Sequence, residues 1–252
     1  SNVAYFGTII PKGSYQFSSS VSAREADNQL SPIGEVKNTA LSKSDIFTSL
    51  AKYNDNGYSI LSLENFEMSY GIPSSPEGHI DGVDLKMKKT SQKFKYHADI
   101  NLGKYNTLDV EPGHVNYEHR EFENNKSYHA VLLSHAINYF KVDISSDIFK
   151  IGGLYQRKKF IAGGFYWTPN TYEDKLAIYA SKKGVIFGYN TDYSGRIEHR
   201  SIRPRSGETF FSNLDANEVR NRQFTLVSGG VSFFKEQQYL SNYYQILFTS
   251  RA

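Results

Sequence analysis

From Lys126 onward, apolar and polar residues alternate with a spacing of two, the period of a half-buried β-strand. The runs are SYHAVLLSHAINYFKVDI, IFKIGGLYQ, KFIAGGFYW, KLAIYASK, GVIFGYN, RIEHRSI, QFTLVSGGVSFF and NYYQILFTS. Polar pieces such as TPNTYED, KKG, TDYSG and KEQQYLSN separate them and read as turns. Eight strands spaced by roughly ten residues predict an up-and-down barrel rather than a sandwich. Gly152-Gly153, Gly163-Gly164 and Gly229-Gly230 sit within aromatic runs, where glycine marks bends, bulges or close backbone approach in a closing sheet.

The first half is less regular. LSKSDIFTSLAKY at 41–53 predicts a helix: Ser42 or Ser44 as N-cap, Asp45 in the first turn, and Ile46, Leu50 and Tyr53 on one face. NDNG at 54–57 ends it, and YSILSLENFEMSYGI follows as one or two strands. IPSSPEGHIDGV at 72–83, with two prolines and two glycines, predicts a long ordered loop or lid carrying His79. A strand at FKYHADINL precedes TLDVEPGHVNYEHREFE, which is expected to turn at Pro112-Gly113. The change of texture near 125 divides the chain into domains 1–125 and 126–252.

Composition narrows the function. The chain has no cysteine, which removes disulfides, thiolate metal sites and a cysteine nucleophile together. A net charge of +3 without a clustered basic stripe argues against nucleic acid. No apolar run is long enough for a membrane-spanning helix, and mean hydropathy is −0.52. Outer-membrane strands require an apolar outer face, and Lys158, Lys159, Lys182 and Lys183 interrupt the runs. The expectation is therefore a soluble, exported chain that does not span a membrane; its Ser-Asn start fits a processed terminus. No phosphate loop, HExxH or GxSxG is present, so no enzyme is expected.

Seven histidines remain, and with 2 Met and 19 Tyr they are the main candidates for a transition metal or haem iron. Val115, Tyr117 and His119 share one side of a strand, with Asn116, Glu118 and Arg120 on the other. Such an imidazole suits an axial haem ligand; equally, it suits a strand histidine bonded to a carboxylate such as Glu121. His79 is the second-ligand candidate, because a loop can close over a flat ligand. His129 and His135 read as interior or rim residues, and His97 and His199 as solvated ones.

With KIGGLYQ, FIAGGFYW and the terminal NYYQILFTSRA, the chain resembles hemophilin and related secreted haem-binding proteins of Gram-negative bacteria, and its barrel half those of transferrin-binding surface lipoproteins. The resemblance implies a mainly β protein with an irregular, helix-bearing N-terminal clamp domain and a C-terminal eight-stranded antiparallel β-barrel. It implies a secreted, monomeric hemophore that binds haem b through His119, with Tyr117, Val115 and His79 around it. Its partners would be an export translocon and an outer-membrane haem receptor. The alternative is a secreted or surface-exposed protein that binds a host macromolecule without haem.

Overall fold

Period-two alternation governs both halves of the chain, not the second alone. The computed structural model describes residues 1–75, 81–123, 128–164, 169–205, 220–237 and 240–251. Along the chain the strands are β1 (Asn2–Lys12), β2 (Tyr15–Ala26), β3 (Gln29–Ser31), β4 (Gly34–Val36), β5 (Leu41–Asn54), β6 (Gly57–Ile72) and β7 (Val83–Leu102). They continue as β8 (Tyr105–Glu123), β9 (Val131–Ser145), β10 (Phe149–Gly164), β11 (Thr171–Ile186), β12 (Tyr189–Pro204), β13 (Arg222–Gln237) and β14 (Leu240–Arg251). β3 and β4 make a small hairpin; the other twelve form one antiparallel meander in which each strand pairs only with its sequence neighbours. β1 and β14 are its edges.

The expected fold class is thereby corrected. No helix occurs among the described residues, so there is no helix-bearing clamp, and the sheet is not an eight-stranded barrel. The expected domain boundary falls within 124–127, outside the described residues; β8 and β9 on either side of it pair from Thr107↔Ser145 to Glu121↔Val131.

Each misreading has a physical cause. Ile46 and Leu50 are four apart, a spacing that keeps two residues on one face of a helix and of a strand alike, and 41–53 lies in β5. KKG reads as a turn and Arg157-Lys158 as a break between two runs, yet a strand sends adjacent charges to opposite faces. Lys158 therefore pairs with Glu173 on one face and Lys159 with Tyr172 on the other. The runs expected as separate strands around those pieces merge into β10 and β11. β8 also passes straight through Pro112-Gly113. Proline has no N–H to donate, and the β7–β8 ladder skips from Lys93↔Gly113 to Tyr96↔Val110 beside it without changing register.

The two faces differ sharply. On one, Ile10, Phe17, Leu50, Leu61 and Phe94 are successive cross-strand partners from β1 to β7. Beyond Pro112 the row runs through Phe140, Tyr155 and Leu176, with Val142, Gly153, Ile178, Ile197 and Val227 one step along. This apolar belt is open to its surroundings: Leu176, Ile178 and Ile197 are 54%, 61% and 57% exposed. The opposite face carries Asp45, Glu64, Lys89, Lys95, Asp143, Arg196 and Glu198. Its small or charged members Ala51, Asp143, Ala177 and Glu198 are buried, as expected where a sheet curls toward that face and crowds it.

The ends differ too. At one end the connections are two or three residues, at 13–14, 55–56, 103–104, 146–148, 187–188 and 238–239. Phe187 and Gly188 both have positive φ (50° and 77°), the geometry of a tight hairpin turn. At the other end the connections are 27–40, 73–82, 124–130, 165–170 and 205–221. On the apolar face, the belt gives way toward this long-loop end to ion pairs: Lys88–Glu67, Arg120–Glu118 and Arg157–Asp174, each at 2.8 Å.

Candidate functional site

The apolar belt has little to recognise a polar ligand with, whereas the curled-in polar face carries titratable side chains. Toward the long-loop end, β8 places Val115, Tyr117, His119 and Glu121 there at alternate positions. His119 is largely covered, and its Nε2 donates to Glu121 Oε1 at 2.9 Å. That leaves Nδ1 for a ligand, and among the described residues it has no hydrogen-bond partner. Held carboxylates of this kind fix the orientation of a ligating imidazole, and they also satisfy a purely structural one.

Tyr117 bridges to both neighbouring strands. Its ring stacks on His135 of β9 with centroids 5.0 Å apart, and its hydroxyl donates to Met87 Sδ of β7 at 3.2 Å. Val115 lies opposite Ser91 and Ile137. The structure thus gathers three of the residues picked out from the sequence, with Glu121 as the carboxylate expected beside His119, and adds His135 and Met87. No sequence signal marked Met87: it lies inside KMKK, and only the β7–β8 register sets it opposite His119. His79 falls within 76–80, outside the described residues.

The other histidines have separate settings. His97 stacks on Tyr58 at 4.9 Å and meets Asp109 Oδ1 at 3.0 Å. His114 and His199 bond Asn138 and Thr225 at 2.8 and 3.2 Å on the opposite face. No group of three or more His, Asp and Glu side chains is arranged to hold a metal ion among the described residues.

Toward the short-turn end, the polar face is dense in charge. Lys95, Asp109, Glu111, Lys141, Asp143 and Lys150 line a concavity of about 190 Å³. Asp143, 5% exposed, accepts from the Tyr179 hydroxyl at 2.5 Å and pairs with Lys141 and Lys150 at 3.0 and 3.3 Å. Buried carboxylates persist where such partners replace water. In the apolar belt, a shallow dip of about 500 Å³ lies where Ala180, Gly195 and Gly229 are successive partners, walled by Ile151, Ile178, Ile197 and Val227.

No protein-family model and no curated protein matches the chain. Among solved structures it is similar to the FrpB iron transporter from Neisseria meningitidis (F3-3 variant), at 11% identity and a TM-score of 0.72, over 95% of this chain and 43% of that one. It is similar also to the copper transporter OprC, at 9% identity and a TM-score of 0.74, over 96% of this chain and 42% of that one. The chain spans less than half the length of either. At such identity the likeness is one of fold alone.

Proposed function

We propose that this chain forms part of the wall of an outer-membrane β-barrel that admits a small polar or metal-bearing solute along its polar face. The observation that carries this reading is the unbroken apolar belt, which runs across the strands on the face away from the buried charges. Water would penalise that belt and a bilayer would not. The connections support it, since membrane barrels pair short periplasmic turns with longer outside loops. So do the strands: β7 spans 20 residues and β8 spans 19, where roughly 9–11 cross the hydrocarbon, which leaves room for a charged collar beyond it. The lysines that spoke against a membrane in the sequence fit as well. Lys158 and Lys183 lie on the polar face, while Lys159 and Lys182 lie at opposite ends of the apolar one. Metal cargo is suggested by the iron and copper transporters that share the fold.

A chain without cysteine suits the test. Single cysteines replace Lys175, Leu176, Ile178 and Ser181 in membranes from expressing cells. Those at 176 and 178 should react with a lipid-soluble maleimide and resist a charged one, and those at 175 and 181 should do the reverse. Uniform reactivity with the charged reagent would refute the membrane wall.

Haem is the second reading, favoured by Val115, Tyr117 and an oriented His119 on one face beside the long connections. In it, the chain takes haem from outside the cell as the sequence suggested, with His119 holding the iron. A Soret band on haem titration that collapses in His119→Ala supports it; no band in the wild type removes it.

A further inference from the structure

We propose that Met68, Met87 and His119 form a site for a soft monovalent metal ion, Cu(I) or Ag(I), on the polar face. The inference deepens the transporter reading and rests on it, because it supposes that this face meets the solute.

The chain has two methionines, and they are far apart in sequence. The sheet makes them direct cross-strand partners, Met68 on β6 opposite Met87 on β7, and sets Met87 directly opposite His119 on β8. Paired residues on one face hold their Cβ atoms about 5 Å apart, so two flexible thioethers and one imidazole can converge on a single ion. All three side chains are partly covered rather than buried in a core.

Two further contacts prepare the row. The Tyr117 hydroxyl donates to Met87 Sδ, which restrains the thioether on this face. Glu121 accepts a hydrogen bond from His119 Nε2, which leaves Nδ1 for a ligand. Thioether sulfur with imidazole nitrogen is a donor set that selects a soft d10 ion over hard cations such as Mg²⁺ or Ca²⁺. The carboxylate stands behind the imidazole, so the two sulfurs and one nitrogen impose the preference.

The test uses the chain purified from membranes in detergent and titrated calorimetrically with Ag⁺ in chloride-free buffer. One equivalent should bind, and Ca²⁺ in the same range should not. Met68→Leu and Met87→Leu keep side-chain volume; each should weaken Ag⁺ at least tenfold, and the double variant should lose the saturable phase. His119→Gln should weaken it similarly. A wild-type sample with intact β-sheet circular dichroism that binds no Ag⁺ overturns the proposal, and so does a double Leu variant that binds like wild type. Ag⁺ binding without the alternating maleimide pattern keeps the site and removes the transporter. The alternating pattern without Ag⁺ binding does the opposite.

Discussion

The ring of Tyr179 lies over Gly152, its cross-strand partner, and occupies the space a side chain at 152 would need. From there the Tyr179 hydroxyl reaches Asp143 on the next strand, so one aromatic ties β9, β10 and β11 together. Glycine covered by a cross-strand aromatic is a known way to keep a curled sheet in register. Gly113 under the ring of Tyr139 repeats it.

Gly152→Val should therefore be costly. The new side chain must displace the Tyr179 ring and the Asp143 carboxylate, an overpacking penalty of about 1–3 kcal/mol. Gly153→Ala, whose Cβ would find only Ala177 O at 3.8 Å, should stay within about 1 kcal/mol of wild type. Urea unfolding in detergent measures both, and equal midpoints would contradict the packing described. The glycine pairs, expected at bends, bulges or close backbone approaches, divide. Gly153, Gly163 and Gly229 lie in regular ladder without positive φ, whereas Gly164 has a φ of 77° and abuts Ala130 O.

In the proposed membrane wall, charge on the belt should block assembly. Ile178→Lys places an ammonium amid Ile151, Ile197 and Val227, at a cost of about 2–4 kcal/mol near the bilayer midplane. Ser49→Lys, on the polar face between Ser18 and Ser62, should assemble normally. Membrane fractionation reads the difference. Equal membrane yields from the two variants would mean that the belt does not face lipid.

Asp143→Asn should destabilise the short-turn end. It removes the charge that Lys141 and Lys150 face and weakens the bond from Tyr179. Because both lysines are partly exposed, the loss should be on the order of 2 kcal/mol rather than that of a dry pair. Adding Lys150→Met should recover part of it, and a double-mutant cycle checks the coupling.

How much of this was legible beforehand depended on whether a signal was local. The shared face of Val115, Tyr117 and His119 follows from alternation alone and needs no partner strand. The Glu121 contact is equally local, two residues along. By contrast, Ile46 and Leu50 fit two periods at once, and nothing nearby decides between them. Lys182 and Lys183 look like a turn until each is assigned a face. Met68 beside Met87, and Met87 beside His119, exist only through register, and register belongs to pairs of strands.

Topology offers a fourth expectation. A peptide tag inserted between Pro32 and Ile33, in the 27–40 connection where Ile33 is fully exposed, should be reachable by antibody on intact cells. The same tag in the two-residue turn at 55–56 should be reachable only after permeabilisation, and should disturb the β5–β6 hairpin. Reversed staining would invert the assigned orientation.

A meander in which every strand touches only its sequence neighbours has an evolutionary corollary. The hairpin is its natural unit of gain and loss: one can be duplicated or excised as a pair without rerouting any other strand or flipping any other face. Walls of different circumference can then descend from one another by whole hairpins. Likeness of fold would then persist in curvature and alternation at identities as low as the 9–11% seen with the two transporters.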